Sequence, residues 1–421
     1  MGFTEKGKRS EQNDIIMTNG PLNTDIQTGK TESSVSARLS GIGEYYFSKK
    51  LREIEELNKA GKRVINLGIG SPDLPPHPDV IKMLQQESAK PNTHAYQGYK
   101  GIAPLREAMA AWYRQWYGVT LDPATEVLPL MGSKEGIMHI CMTYIDQGDY
   151  ALIPDPGYPT YQSAVSLAGG IPLTYELTRE HDWFPDFNEL DQKIADLRKQ
   201  HKKVKLMWVN YPHMPTGQQA SLEVFEMLIR FGKTNGILIC HDNPYSFILN
   251  DKPLSILSVK GALETALELN SLSKAQNMAG WRVGMMMGSK NIIENVLRFK
   301  SNMDSGMFQP IQKAAIVALS LGAEWYDHLN KTYRERRKKA IQLLIQLKCT
   351  ITDKQAGLFI WAAISDRYQT GYELSDDILS KCKVFITPGG IFGKQGNGYV
   401  RVSLCSPVEQ FDEAINRIGV D

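Results

Sequence analysis

The 421 residues carry 42% hydrophobic and 22% charged side chains with a formal net charge of +2, a balance that suits a globular enzyme and offers no strong field for nucleic acid or a membrane surface. No run approaches the roughly 18 apolar residues that a membrane span requires, and 35 Gly and 21 Pro scattered along the chain exclude collagen-like or low-complexity organisation. The five cysteines (Cys141, Cys240, Cys349, Cys382, Cys405) lie far apart without a C-x-x-C, so a reducing, cytoplasmic setting is expected, with neither disulfides nor a metal site.

Residues 1–40 are polar and aperiodic and include Glu5, Glu11, Asp14, Asp25 and Glu32. They lack the apolar core of a signal peptide and are too acidic for a transit peptide, so a flexible or partner-clasping arm is expected. Between about 125 and 290, apolar runs alternate with helix-period segments. Strands are expected at 126–130, 150–153, 171–176, 205–210, 237–241, 266–271 and 284–287, with helices among them at 136–145, 161–167 and 222–235. This alternation predicts an α/β fold, a mostly parallel seven-stranded sheet between helices, with ligands at the carboxyl ends of its strands. Beyond about 315, long helices over 312–346 give way to short strands and turns, which reads as a smaller α+β domain.

Three polar clusters follow three of these strands. One runs Asn270-Ser271-Leu272-Ser273-Lys274 and continues to Arg282. A lysine among small hydroxyls, with an arginine eight positions on, suits a carbonyl cofactor bearing a phosphate, because a desolvated lysine amine forms Schiff bases. Taken alone, Lys274 reads more readily as a solvated loop residue. The second cluster is Cys240-His241-Asp242-Asn243-Pro244-Tyr245, where a carboxylate at a strand end needs a cationic partner such as a protonated pyridine nitrogen, or else caps a turn. The third, Gly132-Ser133-Lys134-Glu135-Gly136, offers backbone N–H groups at a helix start, either a phosphate cradle or an ordinary cap.

Taken together, and in this order along the chain, the motifs from about Ser40 onward resemble the class I/II aminotransferases of PLP fold type I. S-L-S-K-x-x-x-M-A-G-W-R-V-G is similar to that family's lysine signature, which implies Lys274 as the imine lysine and Ser271 and Arg282 on the phosphate of pyridoxal 5'-phosphate. Asp242 and Tyr245 match its D-x-x-Y and are implied as partners of the pyridine nitrogen and of O3'. Ser133 and Lys134 resemble its phosphate loop, and Tyr158 its ring-stacking aromatic. Tyr96 resembles a tyrosine that reaches the phosphate across a dimer interface. Ile69 and Gly70 resemble the segment covering the substrate, Asn210 matches an asparagine of the central pattern, and Arg401 matches the arginine that grips the α-carboxylate. The resemblance implies a homodimer with shared sites, acting on an amino acid and a 2-oxo acid. It also implies a large cofactor-binding domain at 75–315 and a smaller one built from 41–74 and 316–421.

The same fold supports β-elimination and cyclopropane-forming chemistry, and Arg401 serves any α-amino acid. A sensor domain of a transcription regulator fits poorly, since the segment before Ser40 has no basic stripe or helix-turn-helix pattern. Asn302, Ser305 and Phe308 either face a partner's site or pack an interface, and Trp361 is a candidate core residue. One departure stands out. Met214 occupies the position of the asparagine that donates to O3' in the resembled family, and a thioether donates no hydrogen bond. If Tyr245 alone holds O3', titrating the visible band of the cofactor-loaded protein against Met214→Asn gives two different protonation midpoints. Coincident midpoints would remove that expectation.

Overall fold

A computed structural model of the chain describes residues 2, 36–39, 42–44, 46–352 and 354–419. The arm expected over residues 1–40 lies almost wholly outside them. The described elements are α1 (Tyr46–Lys59), β1 (Ile65–Asn66), α2 (Pro78–Ser88), α3 (Ala103–Tyr117), β2 (Val127–Leu130), α4 (Ser133–Tyr144), β3 (Tyr150–Asp155), α5 (Pro159–Leu167) and β4 (Ile171–Glu176). There follow α6 (Phe187–Lys199), β5 (Val204–Asn210), α7 (Leu222–Asn235), β6 (Leu238–Asp242), β7 (Ala266–Ser271), β8 (Gly284–Met287), α8 (Lys290–Lys300), α9 (Gln309–Leu319) and α10 (Ala323–Gln346). The chain ends with β9 (Thr350–Ile351), β10 (Phe359–Ala363), α11 (Gly371–Cys382), β11 (Val384–Phe385), β12 (Thr387–Pro388), β13 (Tyr399–Ser403) and α12 (Val408–Ile418).

The central sheet has seven strands in the order β2-β8-β7-β6-β5-β3-β4, and all are parallel except β8, which runs against both β2 and β7. All seven expected strands are present. Their near-continuous apolar character follows from burial on both faces, since β2, β7 and β8 expose no residue and β5 and β6 bury theirs except at their first residues. The strand order reverses between β3 and β5. Crevices at such a point receive ligands, and here the carboxyl ends of β3, β5, β6 and β7 open on one side.

Several boundaries differ from expectation in a way that matters for the site. The helix expected from residue 136 begins at Ser133, because Gly132, at φ +91°, turns the chain out of β2 and lets Ser133 and Lys134 enter the first helical turn. The strand expected to stop at His241 includes Asp242, which makes that carboxylate a sheet residue. The helical stretch expected over 312–346 is two helices, interrupted at Ser320 to Gly322.

Two smaller sheets complete the architecture: β12-β13-β10-β9, antiparallel throughout, and the parallel pair β1-β11. Trp361 on β10 is buried, its ring stacked on Tyr399 at 5.0 Å, so it belongs to the core. Register places Arg401 on β13 opposite both Trp361 and Thr387.

Gly284 opens β8 beside the start of α4, and a Cβ there would sit 2.6 Å from the Ser133 backbone nitrogen. No flexible side chain can yield, so the loop before α4 would have to move. Gly284→Ala is expected to destabilise the fold by about 1–3 kcal/mol. Denaturant titration of the two proteins checks this.

Candidate active site

A cavity of about 460 Å³ opens at the carboxyl ends of the central strands. Its lining includes Ile69, Gly70, Ser133, Lys134, Tyr158, Asn210, Asp242, Tyr245, Ser271, Lys274, Arg282 and Arg401. Every site residue that the resemblance implies is therefore brought into this cavity except Tyr96, which is 92% exposed and lies outside it. Asn302, Ser305 and Phe308 are likewise exposed and outside the lining.

Asp242 closes β6 at the cavity floor. Its Oδ2 accepts a hydrogen bond from Tyr161 Oη at 2.8 Å, while its buried Oδ1 has no partner among the described residues. Burial drives the carboxyl up to about 6, against the pull of the Tyr161 hydrogen bond and the neighbouring cations. A buried carboxylate oxygen without a donor is the feature that a protonated pyridine nitrogen would satisfy. Asn210, ending β5 one strand over, is oriented by the backbone: its Nδ2 donates to the Asp242 carbonyl at 2.6 Å, and its Oδ1 accepts from the Met214 amide at 2.7 Å.

Lys274 sits in the turn leaving β7, its amine donating to the Gly70 carbonyl at 3.0 Å and lying 6.0 Å from the centre of the Tyr245 ring. Burial is the leading cause that lowers its pKa, with Arg401 and Arg282 acting in the same direction, so a larger share of the amine is neutral and nucleophilic. Arg282, held at φ +57° between the 3-10 turn Ala279–Trp281 and β8, donates to the Ala279 carbonyl at 2.8 Å and approaches Ser273 Oγ at 3.4 Å. Its guanidinium packs against Gly132, where a Cβ would collide with it. The α4 start has no side-chain cap, so guanidinium, the Ser133 hydroxyl and first-turn N–H groups together form an anion cradle.

Arg401 faces the cavity from β13. It donates to the Gly68 carbonyl at 2.8 Å and to Met214 Sδ at 3.2 Å, and its guanidinium centre lies 3.9 Å from the Phe359 ring and 4.7 Å from that of Phe392. Phe47 on α1 covers the same group at 5.7 Å. Sequence reasoning missed these aromatics and Tyr161. The signal for Tyr161 was available, since it follows Tyr158 by three positions and shares its helix face. The aromatic box around Arg401 had no such signal, because Phe47, Phe359 and Phe392 come from three remote segments.

A buried carboxylate needing a cation, a desolvated lysine and an anion cradle on a mostly parallel sheet define a fold-type-I pyridoxal-phosphate protein, and the residues fit that cofactor. Residues 62–418 match the aminotransferase class I and II family. The chain is 39% identical to an LL-diaminopimelate aminotransferase of Dehalococcoides mccartyi over 91% of its length and 98% of the relative's. It is 40% identical to a protein of the same name from Gloeobacter violaceus, covering 91% and 97%. The structure of BacF from Bacillus subtilis superposes with a TM-score of 0.86 at 35% identity, covering 92% of this chain and 98% of that one. The chain belongs to the class I and II aminotransferases: it is a pyridoxal-phosphate-dependent enzyme that moves an amino group between an α-amino acid and a 2-oxo acid.

The Asp242 environment gives a pH prediction for the cofactor-free protein. A carboxyl raised from 3.8 to about 6 on folding contributes stability that is fully present below 3.8 and is lost as pH rises through 6. Asp242→Asn should therefore be more stable than the native chain at neutral pH, by about 1–3 kcal/mol. The advantage should vanish in acid. Melting temperatures of both proteins across that range test it, and parallel curves would count against it.

Proposed function

We propose that Lys274 is the residue that bonds the cofactor and then moves the substrate's α-proton, with Arg401 holding the α-carboxylate. The observation that carries this reading is the buried Lys274 amine with its lowered pKa in the same cavity as Arg401. Bound pyridoxal phosphate supplies a carbonyl for amine exchange and a ring that takes up the electron pair left when the α-proton departs.

In this reading Arg401 pairs bidentately with the carboxylate, and the surrounding Phe47, Phe359 and Phe392 rings exclude water and strengthen that pair. Lys274 Nζ takes the α-proton and later returns it, acting as base and then acid. Asp242, oriented by Tyr161, faces the ring nitrogen; Tyr158 stacks on the ring and Tyr245 donates to O3'. Ser133, Lys134, Ser271 and Arg282 hold the phosphate. Ile69 and Gly70 cover the substrate, and the Gly70 carbonyl, 3.0 Å from Nζ, steadies the amine. Asn210 acts on the site through the backbone of Asp242 and Met214.

The proposal extends to a homodimer in which Tyr96 completes a partner's site. An exposed patch of Tyr96, Tyr99, Met303 and Phe308 supports it, on segments joined where Gly306 packs against the Gln97 and Gly98 backbone. A smaller domain at 41–74 and 316–421 beside a large one at 75–315 is supported by the pairing of β1 with β11. A cytoplasmic location is supported by five buried, widely separated cysteines.

The test is a half-reaction screen. Cofactor-loaded protein is mixed with single amino acids, and the visible band and 2-oxo acid product are followed. Lys274→Ala is expected to lose about 10²–10⁴-fold or more of the rate. Retention of most of the activity would move the base elsewhere.

A further inference from the structure

Directly behind Asp242 lies a group that the reaction does not use. His241 on β6 is fully buried, and so is Glu268 on β7. His241 Nδ1 is 2.8 Å from Glu268 Oε2, and its Nε2 is 2.9 Å from the Tyr211 carbonyl oxygen. The carbonyl can only accept, which obliges Nε2 to carry a proton.

Nδ1 is decided by the state of Glu268. Four other donors converge on that carboxylate: Tyr113 Oη at 2.8 Å, Ser255 Oγ at 2.8 Å, the Ile256 amide at 3.1 Å and Asn243 Nδ2 at 3.3 Å. A carboxyl receiving donors on both oxygens is held ionised and has no proton of its own to give. Nδ1 must then donate as well, and the ring carries a proton on each nitrogen. The His241 ring also packs against the Phe225 ring of α7, at 4.9 Å, and its charge acts on the neighbouring Asp242 as well as on Glu268.

We propose that His241, held by Glu268 at Nδ1 and by the Tyr211 carbonyl at Nε2, carries a proton on both ring nitrogens and serves as a positioning residue keeping the adjacent Asp242 carboxylate ionised toward the cofactor ring. The inference rests on the reading of Asp242 given above. Burial pushes Asp242 toward its neutral form; the Tyr161 hydrogen bond and then the His241 charge oppose this, while Glu268 works against them from further away. The histidine cation therefore does two things. It offsets the burial of Asp242 and neutralises a second anion that would otherwise repel it.

The first measurement is of the ring itself, in native cofactor-free protein labelled with ¹⁵N-histidine. The eight histidines are assigned by comparison with His241→Asn. Both His241 nitrogens should show protonated shifts at neutral pH, and a neutral tautomer there would overturn the proposal whether or not any variant folds. The second measurement is pyridoxal-phosphate affinity of the apo-protein. His241→Asn leaves Glu268 as an unpaired anion near Asp242 and should weaken binding about tenfold. Adding Glu268→Gln removes that anion and should restore most of the loss, which a merely structural role would not do. A double variant that binds as poorly as the single one would overturn the electrostatic role. Asp242→Asn is run alongside: unchanged affinity there would overturn the reading of Asp242 itself and the inference with it, whereas weakened affinity confines any failure to His241 and Glu268.

Discussion

A carboxylate deprived of water at the end of a central strand is the constraint around which this site is organised. Burial opposes the ionisation of Asp242 where it stands, and residues from four elements set its surroundings. Tyr161 reaches down from α5 and donates to one oxygen; Asn210 at the end of β5 ties down the Asp242 carbonyl. His241 and Glu268 stand behind it on β6 and β7. The other oxygen has no partner among the described residues, and it is the one proposed to face the cofactor ring. A desolvated anion with one unfilled acceptor binds a cationic ring selectively, because no water remains to compete for it.

Cations crowd the opposite wall under the same rule. Lys274, Arg282 and Arg401 line one cavity, and each guanidinium lowers the lysine's pKa in addition to the effect of burial. Aromatic faces stabilise Arg401 through their quadrupoles. Met214 belongs to this arrangement as well. Its sulfur accepts from Arg401, so the position that departs from the resembled family's asparagine contacts the carboxylate-binding group.

The backbone makes both arrangements possible. Gly132 brings the α4 start against Arg282, and Gly284 brings β8 against that same start, each at a separation that no Cβ would permit. A Cβ on Gly68 would sit 2.8 Å from Thr387 Oγ1, and the Gly68 carbonyl accepts from both Thr387 and Arg401. The Arg282 end and the Arg401 end of the cavity are thus shaped by glycines at close approaches between segments distant in sequence.

Much of this was legible in the residues. Two-sided burial makes each central strand a short apolar run, and its alternation with helices determines a parallel sheet; the polar clusters then fall where such sheets bind ligands. Local chemistry likewise singled out Lys274, Asp242 and the Gly132–Gly136 loop, because a cradle, a strand end and a lysine turn are each encoded within a few consecutive residues. Contacts between remote segments were not legible. Periodicity assigns a residue to a face but does not say which distant face it meets, so the aromatic box on Arg401, the Met214 contact, Tyr161 on Asp242 and the donors around Glu268 are decided by tertiary packing alone. The amino-acid sequence by itself determined the fold, the cofactor chemistry and the residues able to carry it. Only the tertiary structure decided their protonation, because that depends on which groups exclude water and which donors arrive from elsewhere in the chain.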